Sequence, residues 1–283
     1  NKNFNSKKKV TVIGGGIIGL ATACRLAQDS FDVTLIDANK SKNRASIATA
    51  GIIGGSSVIP WANDHLWKKI PSMILNKEGP LKVMLPLPKD FMSFIFKSHK
   101  AGSNFEISKS SKGLAELGLK GWTEWQSLLK PHRKLRRFFT QNGCLLYYSD
   151  SEEYLDEIKN NQLRRKRGMK IKDLKTNELF LKIPQTCDEK PMATLILKAG
   201  HLTDPLKFQD NLIKELKKKG VKRIIAKANS FEVKKNKIYK VITNKGKINC
   251  DHVIICSGTG GKDLVKELGS KISMIPAWGT SIV

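Results

Sequence analysis

The stretch over residues 10–37, VTVIGGGIIGLATACRLAQDSFDVTLID, constrains this chain more than any other part of it. A β-branched run at 10–13 enters a turn carrying Gly14, Gly16 and Gly19 at G-x-G-x-x-G spacing, and a helix is expected over 17–28. A second strand, 32–36, ends in Asp37. Gly14 permits the tight turn, Gly16 lets backbone approach a pyrophosphate, and Gly19 lets the helix pack close to the strand. The helix N-terminus, at Ile17 and Ile18, presents free N–H groups and a partial positive charge to phosphates. Asp37, followed by Ala38, stands where a carboxylate accepts hydrogen bonds from a ribose 2′-hydroxyl and repels a 2′-phosphate. The pattern predicts a strand, turn, helix and strand that hold a dinucleotide with an unphosphorylated adenosine ribose. Two other uses of these residues are a purely structural turn and a targeting segment, since Lys7, Lys8 and Lys9 precede an uncharged run to Cys24. A cleaved signal needs neither this glycine spacing nor a strand ending in Asp37.

A chain of 283 residues, 40% hydrophobic and 27% charged, can bury one large core or two smaller ones as a soluble globular protein. No run reaches the ~18 consecutive apolar residues of a membrane span. Cys24, Cys144, Cys187, Cys250 and Cys256 are odd in number and scattered, without zinc spacing. They predict no metal site and reduced, mostly buried thiols in a cytoplasmic compartment. The net charge of +26 comes mainly from 42 lysines against nine arginines. Such a field attracts anionic lipid or nucleic acid. The lysines are dispersed and aromatic residues make up 7%, so no stacking groove is expected and nucleic acid is not an expected partner. The cluster Arg164, Arg165 and Arg167 is the one compact basic patch.

After Asp37 a loop of small residues at 45–57 replaces the prompt third strand of a plain nicotinamide-binding domain. Residues 60–100 then carry Trp61, Trp67, Pro71, Pro80, Pro86 and Pro88, an excursion that favours a flavoprotein with a second layer. Within it residues 90–97, DFMSFIFK, suit either a buried helix or a membrane-surface element. Helices are expected over 108–129, with Trp122 and Trp125 in the core, over 151–167, and briefly over 173–181. Strands are expected at 143–149 and 193–198. Thr203 or Asp204 caps a helix that starts with Pro205 and ends at Gly220. Strands at 221–226, 231–233, 238–243 and 247–249 restore the nucleotide domain. A buried strand at 251–256 leads through Ser257 and Gly258 to a helix over 262–268.

The order of these residues resembles the FAD-dependent D-amino-acid oxidase superfamily, which includes glycine oxidase, sarcosine oxidase and the small subunit of D-amino-acid dehydrogenase. The resemblance runs over residues 10–283. It rests on the glycine turn with Asp37, on AGHLTDPLKFQDNL at 199–212, and on the 253–258 strand leading to IPAWGTSIV. The dehydrogenase branch is suggested by ASIATAGIIGGSSVIPWA at 45–62 and IPSMILNKEGPLKVML at 70–85.

The resemblance implies an α/β fold: a Rossmann-like FAD-binding domain with a parallel sheet, plus an inserted α+β substrate domain. The expected divisions are 1–58 and 202–269 for FAD, 59–201 for the substrate domain, and 270–283 for an incomplete return to it. Gly14, Gly16 and Gly19 would cradle the FAD pyrophosphate and Asp37 would hold the ribose. Ser46, Thr49, Ala50 and Gly51 would line the phosphates and flavin ring. The Asn229 backbone would meet adenine, with Ser257 and Gly258 at the adenosine end. Thr49 stands where the dehydrogenase has Asn, removing an amide donor near the ring.

The implied activity is oxidative deamination of a small D-amino acid to a 2-oxo acid and ammonia, with electrons passed to a quinone-linked acceptor. Work at the inner face of a membrane fits the basic surface. Alternatives are glycine, sarcosine or another secondary amine as substrate, and a fragment or subunit that depends on a partner chain. The family continues for well over a hundred residues past a strand like 274–283. The chain is therefore expected to be incomplete or to need a partner, and no catalytic residue is carried over.

Overall fold

The computed structural model describes residues 7–38, 44–54, 58–60, 91–148, 151–175, 177–179, 192–276 and 279. The chain divides into two compact units, Asn1–Thr49 with Leu128–Phe138 and Asp204–Val283, and Ala50–Ser127 with Phe139–Thr203. Its elements begin with β1 (Lys9–Ile13), α1 (Ile17–Gln28), β2 (Asp32–Asp37), β3 (Ile52–Ile53), α2 (Phe91–Ala101) and α3 (Asn104–Leu128). They continue with α4 (Arg133–Arg136), β4 (Phe139–Thr140), β5 (Cys144–Tyr148), α5 (Ser151–Lys166), β6 (Ile171–Leu174), β7 (Met192–Ile196) and β8 (Gly200–Leu202). Last come α6 (Pro205–Lys218), β9 (Lys222–Ile225), β10 (Ala228–Lys234), β11 (Lys237–Thr243), β12 (Gly246–Asn249), β13 (His252–Ile255) and α7 (Gly261–Glu267).

The first unit is built on a parallel sheet in the order β13-β1-β2-β9. Parallel neighbours need a crossover, and α1 supplies the one between β1 and β2. Its Leu20, Ala23 and Cys24 are buried, as are Val10, Val12, Ile13, Val33, Leu35 and Ile36 of the two central strands. Pro205 opens α6, and the Asp204 carboxylate caps it by accepting from the Lys207 N–H at 2.8 Å. Phe208, Leu212 and Leu216 recur every four residues on the buried face of α6, which packs against α1. Burial of each such side chain stabilises the unit by about 1.5–3 kcal/mol.

Two expectations for this unit change. The strands from 228 to 249 join no parallel sheet. They form an antiparallel sheet, β10-β11-β12, whose first hairpin turns at Lys235 and Asn236, both with positive φ. Its Phe231 and Val241 share a core cluster with Ile13, Ile36, Cys250 and Leu264. The strand read as buried at 251–256 is half-buried, because β13 is an edge of the parallel sheet.

The second unit holds two antiparallel three-stranded sheets, β3-β8-β4 and β5-β7-β6, with α2, α3 and α5. The short helix expected over 173–181 is replaced in part by a strand. Asp173 and Leu174 lie in β6 opposite Thr194 and Ala193 of β7, and residues 177–179 are helical. Leu174 is buried, and Asp173 Oδ1 accepts from Thr194 Oγ1 at 2.9 Å, so tertiary pairing overrides the local helical spacing.

The arginine patch is internally paired. Arg164 meets Glu157 and Asn161, Arg165 meets Asp173, and Arg167 donates to Ser108 and Ser111. Trp122 and Trp125, both half-buried, pack on Phe139. None of the residues of α2 is buried: Met92 and Phe96 stand 71% and 73% exposed, so the buried-helix reading of 90–97 is replaced by an exposed helix. The Trp and Pro residues expected to break structure at 61–88, the branch-marking stretch 70–85, Cys187 and residues 280–283 lie outside the described residues.

Candidate functional site

The carboxyl ends of β1, β2 and β13 meet at the glycine turn. Gly14 donates its N–H to the Ile36 carbonyl at 2.8 Å, and Cys256 donates to the Ile13 carbonyl at 2.7 Å. The turn is therefore tied to both neighbouring strands. Gly14 has φ +111°, and a Cβ there would stand 2.5 Å from the Cys256 carbonyl oxygen and 2.7 Å from Ser257 Cα. Only glycine satisfies both the conformation and the approach. Gly19 faces the Gly14 carbonyl so closely that a Cβ would overlap its oxygen, which fixes how near α1 comes to β1.

Gly16 differs. The nearest atom to a Cβ placed there is Ser46 Oγ at 3.7 Å, so packing leaves the space above Gly16 open. This opening lies at the N-cap of α1, whose first turn carries no acid. The combination of open backbone and the helix field is a place for an anion. Ile17 N–H donates to Ser46 Oγ at 3.1 Å, and Ser46 is held in turn by Gln209, fully buried, through bonds of 3.1 and 3.0 Å. Ile18 is 64% exposed on the same helix turn.

Asp37 ends β2 buried, and its carboxylate lies across Gly15, where any Cβ would collide with it. Asp37 Oδ2 accepts from Arg44 Nη2 and Arg223 Nη2, each at 2.9 Å. Neither arginine nor Gly15 nor Gln209 belongs to the set expected from sequence. Arg223 arrives through the parallel register of β9, in which Asp37 faces Ile225, and no local signal reveals that register. Ala38 is exposed beside Asp37. The Asp37 carbonyl accepts from Ala226 N–H at 3.1 Å, and Asn229, exposed, follows three residues later on β10.

Ser257 is drawn to the turn by its contact with Gly14, and Gly258, at φ +56°, opens the short 3-10 helix Gly258–Gly260. Ser46 and an exposed Thr49 belong to the first unit, whereas Ala50 and Gly51 belong to the second. There Gly51, at φ +71°, accepts from Leu202 N–H at 2.8 Å.

The residues of the first unit around the glycine turn fit the adenosine diphosphate part of FAD. Among the described residues five buried side-chain polar atoms lack a partner, and Arg44 Nε, Arg223 Nε and Ser257 Oγ surround this turn. An open cradle at a helix N-terminus suits a phosphate, and a carboxylate at the end of the second strand suits a ribose hydroxyl. Among the described residues no group of three or more His, Cys, Asp or Glu side chains is arranged to hold a metal.

A separate cleft of about 920 Å³ in the first unit lies between α4 and α6. Arg133, Lys134, Arg137, Lys214, Lys217 and Lys218 line it with a single acid, Glu215, and it includes none of the turn residues. At its floor buried His132 faces Glu215 Oε2 through Nδ1 at 3.5 Å and Cys24 Sγ through Nε2 at 3.8 Å.

A family model described as DAO, FAD dependent oxidoreductase, matches residues 9–283. The chain is 25% identical over 270 residues to a D-amino-acid oxidase of Bradyrhizobium diazoefficiens, covering 94% of this chain and 64% of that relative. It is 26% identical over 281 residues to a D-amino acid dehydrogenase of Helicobacter pylori, covering 98% and 66%. The chain thus spans slightly under two thirds of the length of these curated relatives. Among solved structures, an L-amino acid deaminase from Proteus vulgaris aligns at TM-score 0.61 and 17% identity, over 96% of this chain and 58% of that one. A glycine oxidase from Bacillus cereus aligns at TM-score 0.59 and 18% identity, over 92% and 58%. Both share the fold. The chain belongs to the DAO family of FAD-dependent oxidoreductases.

Proposed function

We propose that the protein carrying this chain oxidises a small D-amino acid to a 2-oxo acid and ammonia, passing the electrons to a quinone-linked acceptor. The observation that carries this is the open cradle over Gly16 at the N-terminus of α1, with buried Asp37 ending the adjacent strand. FAD, when bound, supplies the acceptor for the hydride lost from the substrate Cα. The residues of this chain hold its nucleotide half. Gly14, Gly16, Ile17 and Ile18 meet the pyrophosphate, with Ser46, which takes the Ile17 N–H, at their side. Asp37 and Ala38 meet the ribose, and Asn229, Ser257 and Gly258 the adenosine end. Thr49, Ala50 and Gly51 serve the flavin side. The D-amino-acid substrate is supported by the names of the relatives above, which are an oxidase and a dehydrogenase of D-amino acids.

Work at the face of an anionic membrane is supported by two features. Met92 and Phe96 are exposed one turn apart on α2, which also carries Lys97 and Lys100. The cleft between α4 and α6 adds six cationic side chains. Formation of 2-oxo acid from D-alanine under an artificial electron acceptor tests the proposal. Rapid peroxide formation in air would move the assignment to an oxidase, and absence of product from every D-amino acid would remove it.

A further inference from the structure

An acid at the end of β2 selects an unphosphorylated adenosine ribose by repelling a 2′-phosphate, and an arginine nearby does the opposite. This chain places both at one point. Asp37 Oδ2 accepts from Arg44 and Arg223 at 2.9 Å each, and the three side chains are 5%, 7% and 28% exposed. The arginines come from different elements: Arg44 stands two residues before Ser46 on the segment that meets the N-terminus of α1, and Arg223 lies on β9. Among the described residues each arginine pairs with Asp37 and with no other carboxylate. The Nε atoms of both are buried without a hydrogen-bond partner.

Two guanidinium groups therefore face one carboxylate in a region withdrawn from water. Among the described residues one positive charge is in excess, and two N–H donors are unsatisfied. Buried charge and buried donors are each costly unless an acceptor meets them. A phosphate answers both, because its oxygens carry negative charge and match the guanidinium fork. The pyrophosphate of FAD already has the glycine turn and the N-terminus of α1. An anion at Asp37 is one carried by the ribose.

We propose that Arg44, Asp37 and Arg223 form a phosphate subsite at the adenosine ribose, so that adenine nucleotides phosphorylated on that ribose bind here and compete with FAD. The inference rests on the nucleotide-site assignment above. It reverses the selectivity that Asp37 alone predicts, since the pair of arginines turns the local charge from −1 to +1. Loading of FAD would then fall as such nucleotides accumulate.

The matched ligands are adenosine 5′-monophosphate and adenosine 2′,5′-bisphosphate, titrated calorimetrically into the flavin-free chain, with FAD displacement as a second readout. The 2′-phosphate is expected to tighten binding by about tenfold, the worth of one charge-assisted hydrogen bond. Added salt should erode that gain. In the double variant Arg44→Gln with Arg223→Gln the preference should invert, because Asp37 then repels the added phosphate. Equal or weaker binding of the bisphosphate to the unaltered chain overturns the subsite while leaving the nucleotide site standing. Failure of both nucleotides and of FAD to bind overturns the nucleotide site itself, and the subsite with it.

Discussion

Gly19 and Gly14 face each other across the first turn of the chain so closely that a Cβ on Gly19 would overlap the Gly14 carbonyl oxygen. This contact sets the height of α1 above β1, and with it the direction in which the N-terminal N–H groups of the helix point. Gly19→Ala pushes the helix away from backbone that cannot yield, because Gly14 is itself fixed to Ile36 and packed on Cys256. The expected loss of stability is about 1–3 kcal/mol, as for other overpacked sites. Urea unfolding measures it, and FAD affinity should fall in the same variant.

Asp37→Asn tests the buried charges. Removal of the carboxylate leaves Arg44 and Arg223 facing an amide, and truncating one member of a buried pair costs about 3–5 kcal/mol. Arg223 is 28% exposed and recovers some hydration, which puts the expected loss at the lower end. Denaturant midpoints of the variant and of the unaltered chain give the difference. An unchanged midpoint would mean that the two arginines do not depend on Asp37.

Asp204 makes a pH-dependent contribution of known sign. The Lys207 backbone N–H, bonded to its carboxylate, holds Asp204 below the usual value of 3.8. A depressed folded-state value means that this stabilisation is complete above the unfolded value and is lost as pH falls through the folded one. Asp204→Ala should cost about 1 kcal/mol at pH 7, the usual worth of a helix cap. The gap between the two stability curves should close as pH drops below about 3.8.

Thiol reactivity gives an independent check on the core. Burial pushes Cys24 up to about 11, against smaller opposing effects of Arg25 and Lys219, and burial also raises Cys144, Cys250 and Cys256. The thiolate is the reactive form, so the folded chain at pH 7.5 should alkylate slowly at these four positions. At Cys24 the thiolate fraction is about a hundredfold below that of an ordinary cysteine. Mass spectrometry after iodoacetamide, with and without denaturant, reads each position. Prompt labelling of Cys24 in the folded chain would contradict its placement on the buried face of α1.

Much of the first unit was legible in the sequence because its signals are local. The glycine spacing, the β-branched runs on either side and the Asp204-Pro205 cap each specify backbone geometry within a few residues. The structure follows them at β1, α1, β2 and α6. The illegible parts depend on contacts between distant segments. Asp173 reads as helix until Thr194 is placed opposite it, and Arg223 has no meaning for the site until β9 pairs with β2. Gly15 illustrates the same limit inside the motif: its need for glycine comes from the Asp37 carboxylate, twenty-two positions away. The compact Arg164, Arg165 and Arg167 patch misleads in the other direction, since Glu157 and Asn161 of its own helix engage Arg164, while Asp173 and the Ser108 and Ser111 hydroxyls from other elements engage Arg165 and Arg167.

The most direct test of the account is equilibrium binding of FAD to the protein carrying this chain, followed by flavin fluorescence, in the unaltered protein and in Gly16→Val. Gly16 packs against nothing closer than Ser46 Oγ at 3.7 Å from an added Cβ, so the larger side chain fills the cradle and leaves the glycine contacts at Gly14 and Gly19 intact. The account predicts one FAD per chain in the unaltered protein and at least about a tenfold loss of affinity in Gly16→Val, equivalent to about 1.4 kcal/mol, with the circular dichroism unchanged. Equal affinity in the two proteins would contradict it.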